Sequence, residues 1–155
     1  MEFLYRGVSP SMHEDGHGLR PKAEHNEFSS YIAANTTYAC AGNVHARCGL
    51  SEVSEIEKHQ HNQKGKETSG ISTSPFFKRA KCYALGKASE DAAPTHENGY
   101  VYKISIELLK KHNIKILSVN ATVLHPAVSD DDEKILVASD NGCIPLATVV
   151  EIIPV

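Results

Sequence analysis

Three short groups of residues, far apart along the chain, carry chemistry that would make sense in one place. Arg6, within Tyr5-Arg6-Gly7, is a planar guanidinium fork that matches a pyrophosphate, and Gly7 beside it would let backbone approach a ligand closely. Ser72, opening Ser72-Thr73-Ser74, is a short hydroxyl suited to fixing the geometry of a ribose. Glu133, closing Asp131-Asp132-Glu133, is a carboxylate able to stabilise a positively charged sugar through its own charge. Asp131 stands two residues earlier; in an extended chain both side chains point to one side, where Asp131 would orient or deprotonate an incoming nucleophile. Each group also has a plainer use. An exposed arginine is ordinarily a solvated surface residue, Ser-Thr-Ser before Pro75 is a helix cap, and 130–133 is an acidic turn. Phe76 and Phe77 are equally at home in a core. The order and local setting of the three groups give them joint weight.

The elements around them follow from pattern. Phe3-Leu4-Tyr5 reads as a short strand ending at Gly7 and stopped by Pro10. Residues 11–27, rich in glycine, histidine and charge, read as a loop, and 28–50 give no clear pattern. Residues 51–60 read as a helix, with Ser54 and Glu57 spaced as a capping box over the thin apolar stripe of Val53 and Ile56. Gly70-Ile71-Ser72-Thr73 ends a strand, and Pro75 suits the first turn of a helix over 75–88. Its apolar face would hold Phe76, Phe77, Ala80, Tyr83 and Ala84. A loop over 87–98, a strand over 100–106, a short helix over 107–112 and strands over 114–119, 135–137 and 147–153 complete the chain. Many short strands with few helices, and no regular βαβ alternation, predict an α+β fold.

Length and composition set the frame. At 155 residues the chain is expected to be one domain, 1–155, with a core of its own. The net charge of −3, without a basic block, argues against nucleic acid as the main partner. Met1-Glu2 leads into a strand-like run, not a secretory leader, and no apolar run reaches the roughly 18–20 residues needed to span a bilayer. The expectation is a cytoplasmic protein, or one delivered into a target cell without a signal peptide, and no membrane partner. Cys40, Cys48, Cys82 and Cys143 include no C-x-x-C pair and read as reduced thiols instead of zinc ligands. The nine histidines, His59-Gln60-His61 among them, read as surface polarity instead of a metal site.

Arginine, then Ser-Thr-Ser, then acidic-x-Glu resembles the signature of the arginine–serine–glutamate class of ADP-ribosyltransferases. Phe3-Leu4-Tyr5-Arg6-Gly7-Val8-Ser9, Gly70-Ile71-Ser72-Thr73-Ser74, Asn98-Gly99-Tyr100-Val101-Tyr102 and Asp140-Asn141-Gly142-Cys143-Ile144-Pro145 look like the NarE-type bacterial mono-ADP-ribosyltransferases. The likeness spans most of the chain apart from 28–50 and 87–97. It implies two packed, mainly antiparallel sheets with NAD in a cleft between them. It further implies transfer of ADP-ribose from NAD to a protein acceptor, with arginine the first expectation and slow NAD hydrolysis as a side activity. In that reading Arg6 serves NAD, Ser72 the ribose side and Glu133 catalysis, with Thr73, Ser74 and Gly7 around the cofactor. Phe76, Phe77 or Tyr83 would lie beside nicotinamide. Two departures stand out. Asp131 replaces the glutamate of arginine-directed members, and Ser69 replaces the first of two cysteines that hold iron in some relatives, so no metal is expected although Cys143 is present. An NAD glycohydrolase and a catalytically silent interaction module are the alternatives.

Overall fold

A computed structural model describes residues 2–28, 52–61, 67–124 and 126–155. The strands form where apolar and β-branched residues run together. Phe3–Val8 (β1) buries Leu4 and Val8, and Tyr100–Ser105 (β3) buries Val101, Tyr102 and Ile104. β3 is the centre of one antiparallel sheet, with β1 on one side and Val149–Pro154 (β6) on the other. Its register runs from Phe3 opposite Ser105 to Val8 opposite Tyr100, and a bulge at Lys103/Ile104 interrupts the β6 edge. The second sheet is centred on Lys134–Val137 (β5), whose Ile135, Leu136 and Val137 are buried. It is flanked by Ile71–Thr73 (β2) and Lys115–Ser118 (β4). The expected α+β class with two small antiparallel sheets is therefore what the chain adopts. Leu4, Val8, Ile104 and Leu109 of the first unit pack with Ile71 and Leu136 of the second in one buried cluster.

The helices are short. Pro10–Glu14 (α1) begins where the sequence reads as loop, because Ser9 caps Met12 N and Pro10 takes a first-turn position. Glu52–His61 (α2) matches the expected helix and buries Ile56; the side chains of Val53, Ser54 and Glu57, and with them the capping box, lie outside the described residues. Cys40 and Cys48 lie outside them too. Phe77–Ala84 (α3) is shorter than the 75–88 expected. Ser74 Oγ accepts from Phe76 N and holds Pro75 outside the helix. At the other end Gly86, at φ +62, turns the chain, with Gly86 N donating to Tyr83 O and Lys87 N to Cys82 O. That pair of bonds is a Schellman stop, which a glycine makes at little steric cost. The buried face of α3 is Ala80, Cys82 and Ala84, whereas Phe76 and Tyr83, expected with them, are about half exposed at 49% and 54%. Ile106–Lys111 (α4) is capped by Ser105 Oγ, so β3 stops one residue early. Val119–Thr122 (α5) and 3-10 turns at Ser129–Asp131 and Leu146–Thr148 finish the inventory. Among the described residues no helix is long and apolar enough to cross a membrane.

Candidate functional site

Among the described residues the two sheets meet edge to edge at one isolated backbone bridge, Tyr5 against Ser74, with Tyr5 N to Ser74 O at 2.7 Å and Ser74 N to Tyr5 O at 2.9 Å. Beyond that bridge β1 and β2 part, and the Arg6 side chain fills the fork between them. Its Nε donates to Gly18 O at 2.5 Å and its Nη1 to Ser72 O at 2.9 Å. Arg6 thereby ties β1, β2 and the segment after α1 together. Burial lowers its pKa to about 10, against the opposing pull of Tyr102 and Glu133, so it stays a cation at neutral pH.

A cleft of about 400 Å³ opens at this fork, with Arg6, Ser72, Tyr83, Asp131 and Glu133 on its walls. Alternation along β2 directs the serine–threonine–serine side chains differently. Ser72 is exposed, and its Oγ lies 2.8 Å from His59 Nε2. Thr73 is buried and donates to Lys134 O at 2.7 Å, which staples β2 to β5. Ser74 is buried too and donates to Asp131 O at 2.6 Å, anchoring the turn that carries the acidic residues.

That turn is not extended. Asp131 ends a 3-10 turn and Asp132 sits in the left-handed region at φ 44, so the same-side argument for Asp131 and Glu133 does not hold. Both nonetheless line the cleft, held by different partners. The Asp131 carboxylate accepts from Arg79 Nε at 2.5 Å and from the Tyr83 hydroxyl, and is 7% exposed. Burial first, and then the bond to Asp131, push the Tyr83 hydroxyl well above its ordinary value; Arg79 is raised by the same carboxylate. Glu133 is held by α2 instead. Gln60 Nε2 donates to its Oε2, and His59 Nε2 lies 3.5 Å from its Oε1. Burial pushes this carboxyl up, but hydrogen bonds from His59, Ser72 and Gln60 and the His59 charge outweigh it, holding Glu133 below its ordinary range.

Other expected site residues fall elsewhere. Gly7 lines the cleft, but its missing side chain is used by α3, since a Cβ there would lie 2.1 Å from Ala80 O and 2.7 Å from Ala84 N. Phe77 packs edge-on against Tyr5 at 5.7 Å, and Phe76 lines a second groove with Pro75 and Arg79. Neither phenylalanine lines the cleft that holds Glu133. Ser69 is buried, and Cys143 lies exposed with its Sγ 3.4 Å from Glu24 Oε1. Sequence reasoning missed His59 and Gln60 as partners of the carboxylate. Their only signal was two adjacent polar residues near a helix end, and nothing in the spacing tied them to position 133.

A scan against protein-family models matched none of them, and a search of curated proteins returned no match.

Proposed function

We propose that this chain is an NAD-dependent mono-ADP-ribosyltransferase, moving ADP-ribose from NAD to a protein acceptor with release of nicotinamide. The observation that carries the reading is Glu133, an ionised carboxylate at the wall of a cleft that also holds Ser72 and the Arg6 cation. The cations Arg6, Arg20, Lys22 and Lys58 line the cleft against the carboxylates Glu67, Asp131 and Glu133, and a dinucleotide's phosphates would be met by that cationic side of the lining, Arg6 first.

The chemistry asks little of the protein. As the nicotinamide–ribose bond breaks, its electron pair returns to the pyridinium nitrogen and nicotinamide leaves neutral, so no general acid is required. One carboxylate then does what glycosidases divide between two: Glu133 accepts a hydrogen bond from a ribose hydroxyl and stabilises the oxocarbenium-like centre. Ser72 sits beside it to fix the ribose, and Arg6 presents its remaining N–H groups to phosphate. The acceptor adds to the anomeric carbon and loses a proton to solvent or to a base in the cleft.

A second reading, an NAD glycohydrolase, is favoured by Asp131. Its carboxylate is already engaged by Arg79 and Tyr83, which leaves Glu133, held by Gln60 and His59, as the cleft carboxylate that no arginine among the described residues fastens by a hydrogen bond. NAD labelled in its adenylate phosphate, incubated with the chain and a cell lysate, separates the two readings. Label on protein is expected; free labelled ADP-ribose with no labelled protein would replace transfer by hydrolysis.

A further inference from the structure

We infer that Gln60 is a positioning residue for this reaction, holding the Glu133 carboxylate in the orientation in which it meets the sugar. The inference rests on the reading of Glu133 as the reacting carboxylate, and it adds a residue from α2 that the three sequence groups do not contain.

The geometry is specific because both ends of the Gln60 amide are used. Its Oε1 accepts from Ala127 N at 2.8 Å, and its Nε2 donates to Glu133 Oε2. A backbone N–H can only donate, so the bond to Ala127 fixes which end of the amide is oxygen and turns the NH2 toward the carboxylate. Gln60 thus joins α2, the segment before the acidic turn and the residue preceding β5. On the other side Glu133 Oε1 faces His59 Nε2, whose ring is itself placed by a hydrogen bond between Nδ1 and Thr68 Oγ1. With each oxygen held from α2, the carboxylate loses rotamers that it would otherwise sample before reaction.

The contact does not block the reaction it supports. An ionised carboxylate offers about four acceptor positions, so a Gln60 donor on Oε2 leaves room for a ribose hydroxyl. Other charged or titratable groups act on Glu133 from several elements. His59 comes from α2, Arg6 from β1 and Tyr83 from α3; Lys58 and Asp131 line the same cleft but are paired with Glu55 and with Arg79 and Tyr83, and Lys134 of β5 is turned to Asp132. Gln60 is uncharged, so its removal tests hydrogen bonding and placement without altering the charge of the cleft.

The experiment uses the full chain with ¹³C-labelled glutamate, as wild type, as Gln60→Met and as Ala127→Pro. Methionine keeps length and volume and removes the donor; proline removes the N–H that orients the amide and also fixes φ at position 127. The titration midpoint of the Glu133 carboxyl carbon is followed by NMR, with nicotinamide release from NAD measured in parallel. The expected result is a midpoint moved upward in Gln60→Met and less so in Ala127→Pro, with kcat down about tenfold in Gln60→Met and KM little changed. An unchanged midpoint in a folded Gln60→Met protein overturns the inference, and so does faster release, which would make the contact a brake. If Gln60→Met fails to fold, Ala127→Pro carries the same test on an intact Gln60 and Glu133. Absence of nicotinamide release in wild type would refute the proposed function, whereas the Glu133 midpoint would still decide whether Gln60 holds the carboxylate.

Discussion

Arg6 has a structural duty and, under the proposed function, a second toward NAD, and the effects of the two differ in measurement. Its bonds to Gly18 O and Ser72 O fasten the fork between the sheets, and a charged donor to a backbone acceptor is worth about 1.5–3 kcal/mol. Arg6→Ala is therefore expected to lower the unfolding free energy by roughly 2–4 kcal/mol in urea titration and, separately, to weaken NAD binding in calorimetry. Loss of stability with unchanged NAD affinity would confine Arg6 to the structural duty. Glu133 gives a pH signature. Its folded pKa lies below the ordinary 4.5, so its ionisation favours the fold above the unfolded pKa, and that contribution disappears as pH falls through the lower folded value. The acid limb of nicotinamide release is accordingly expected below pH 4.5 in a kcat/KM profile, and a limb above that value would contradict the hydrogen-bonded, ionised Glu133. The residue types of both were legible in the sequence. Their partners were not, because hydrogen bonds such as Gln60 to Glu133 join positions 73 residues apart and leave no local spacing to read.

At the scale of elements, the β1–α3 contact is set by a glycine. Gly7→Ala would drive a Cβ to within 2.1 Å of Ala80 O, and backbone on both sides must move to relieve it. Overpacking of this kind costs about 1–3 kcal/mol, so the variant is expected to melt several degrees lower, read by circular dichroism; an unchanged Tm would show that α3 shifts freely. The same contact explains why a glycine recognisable in the sequence was assigned to a ligand: sequence shows the missing side chain and not which neighbour uses the space. Strand positions were largely legible, since β1, β3 and β5 carry apolar runs with clear ends. The ends of α3 were less so. Ser74 binds Phe76 N ahead of the helix, and the Gly86 stop competes with a helical pattern that reads on to residue 88. The acidic turn defeated a period-2 argument because Asp132 adopts a left-handed backbone that residue type alone permits but does not announce.

For the whole molecule, the arrangement gathers Arg6, Arg20, Lys22 and Lys58 around one cleft, beside Glu67, Asp131 and Glu133, in a chain of net charge −3. Mobile ions screen such a field over about 10 Å at 0.1 M salt. KM for NAD is therefore expected to rise several-fold between low and 0.5 M salt, with kcat nearly constant; a salt-independent KM would remove the cleft cations from binding. The α+β class was legible from the many short strands and absence of βαβ alternation. The way the sheets join was not, since one bridge between Tyr5 and Ser74 decides where the cleft opens, and it pairs strands that the sequence separates by about 70 positions. The most direct measurement is nicotinamide release from NAD by purified wild type and by Glu133→Gln, with both shown folded by circular dichroism. The expected result is release by wild type and a loss of at least about 100-fold in the variant. Equal release by the two proteins, or none from a folded wild type that binds NAD, would contradict the assignment of Glu133 as the reacting carboxylate.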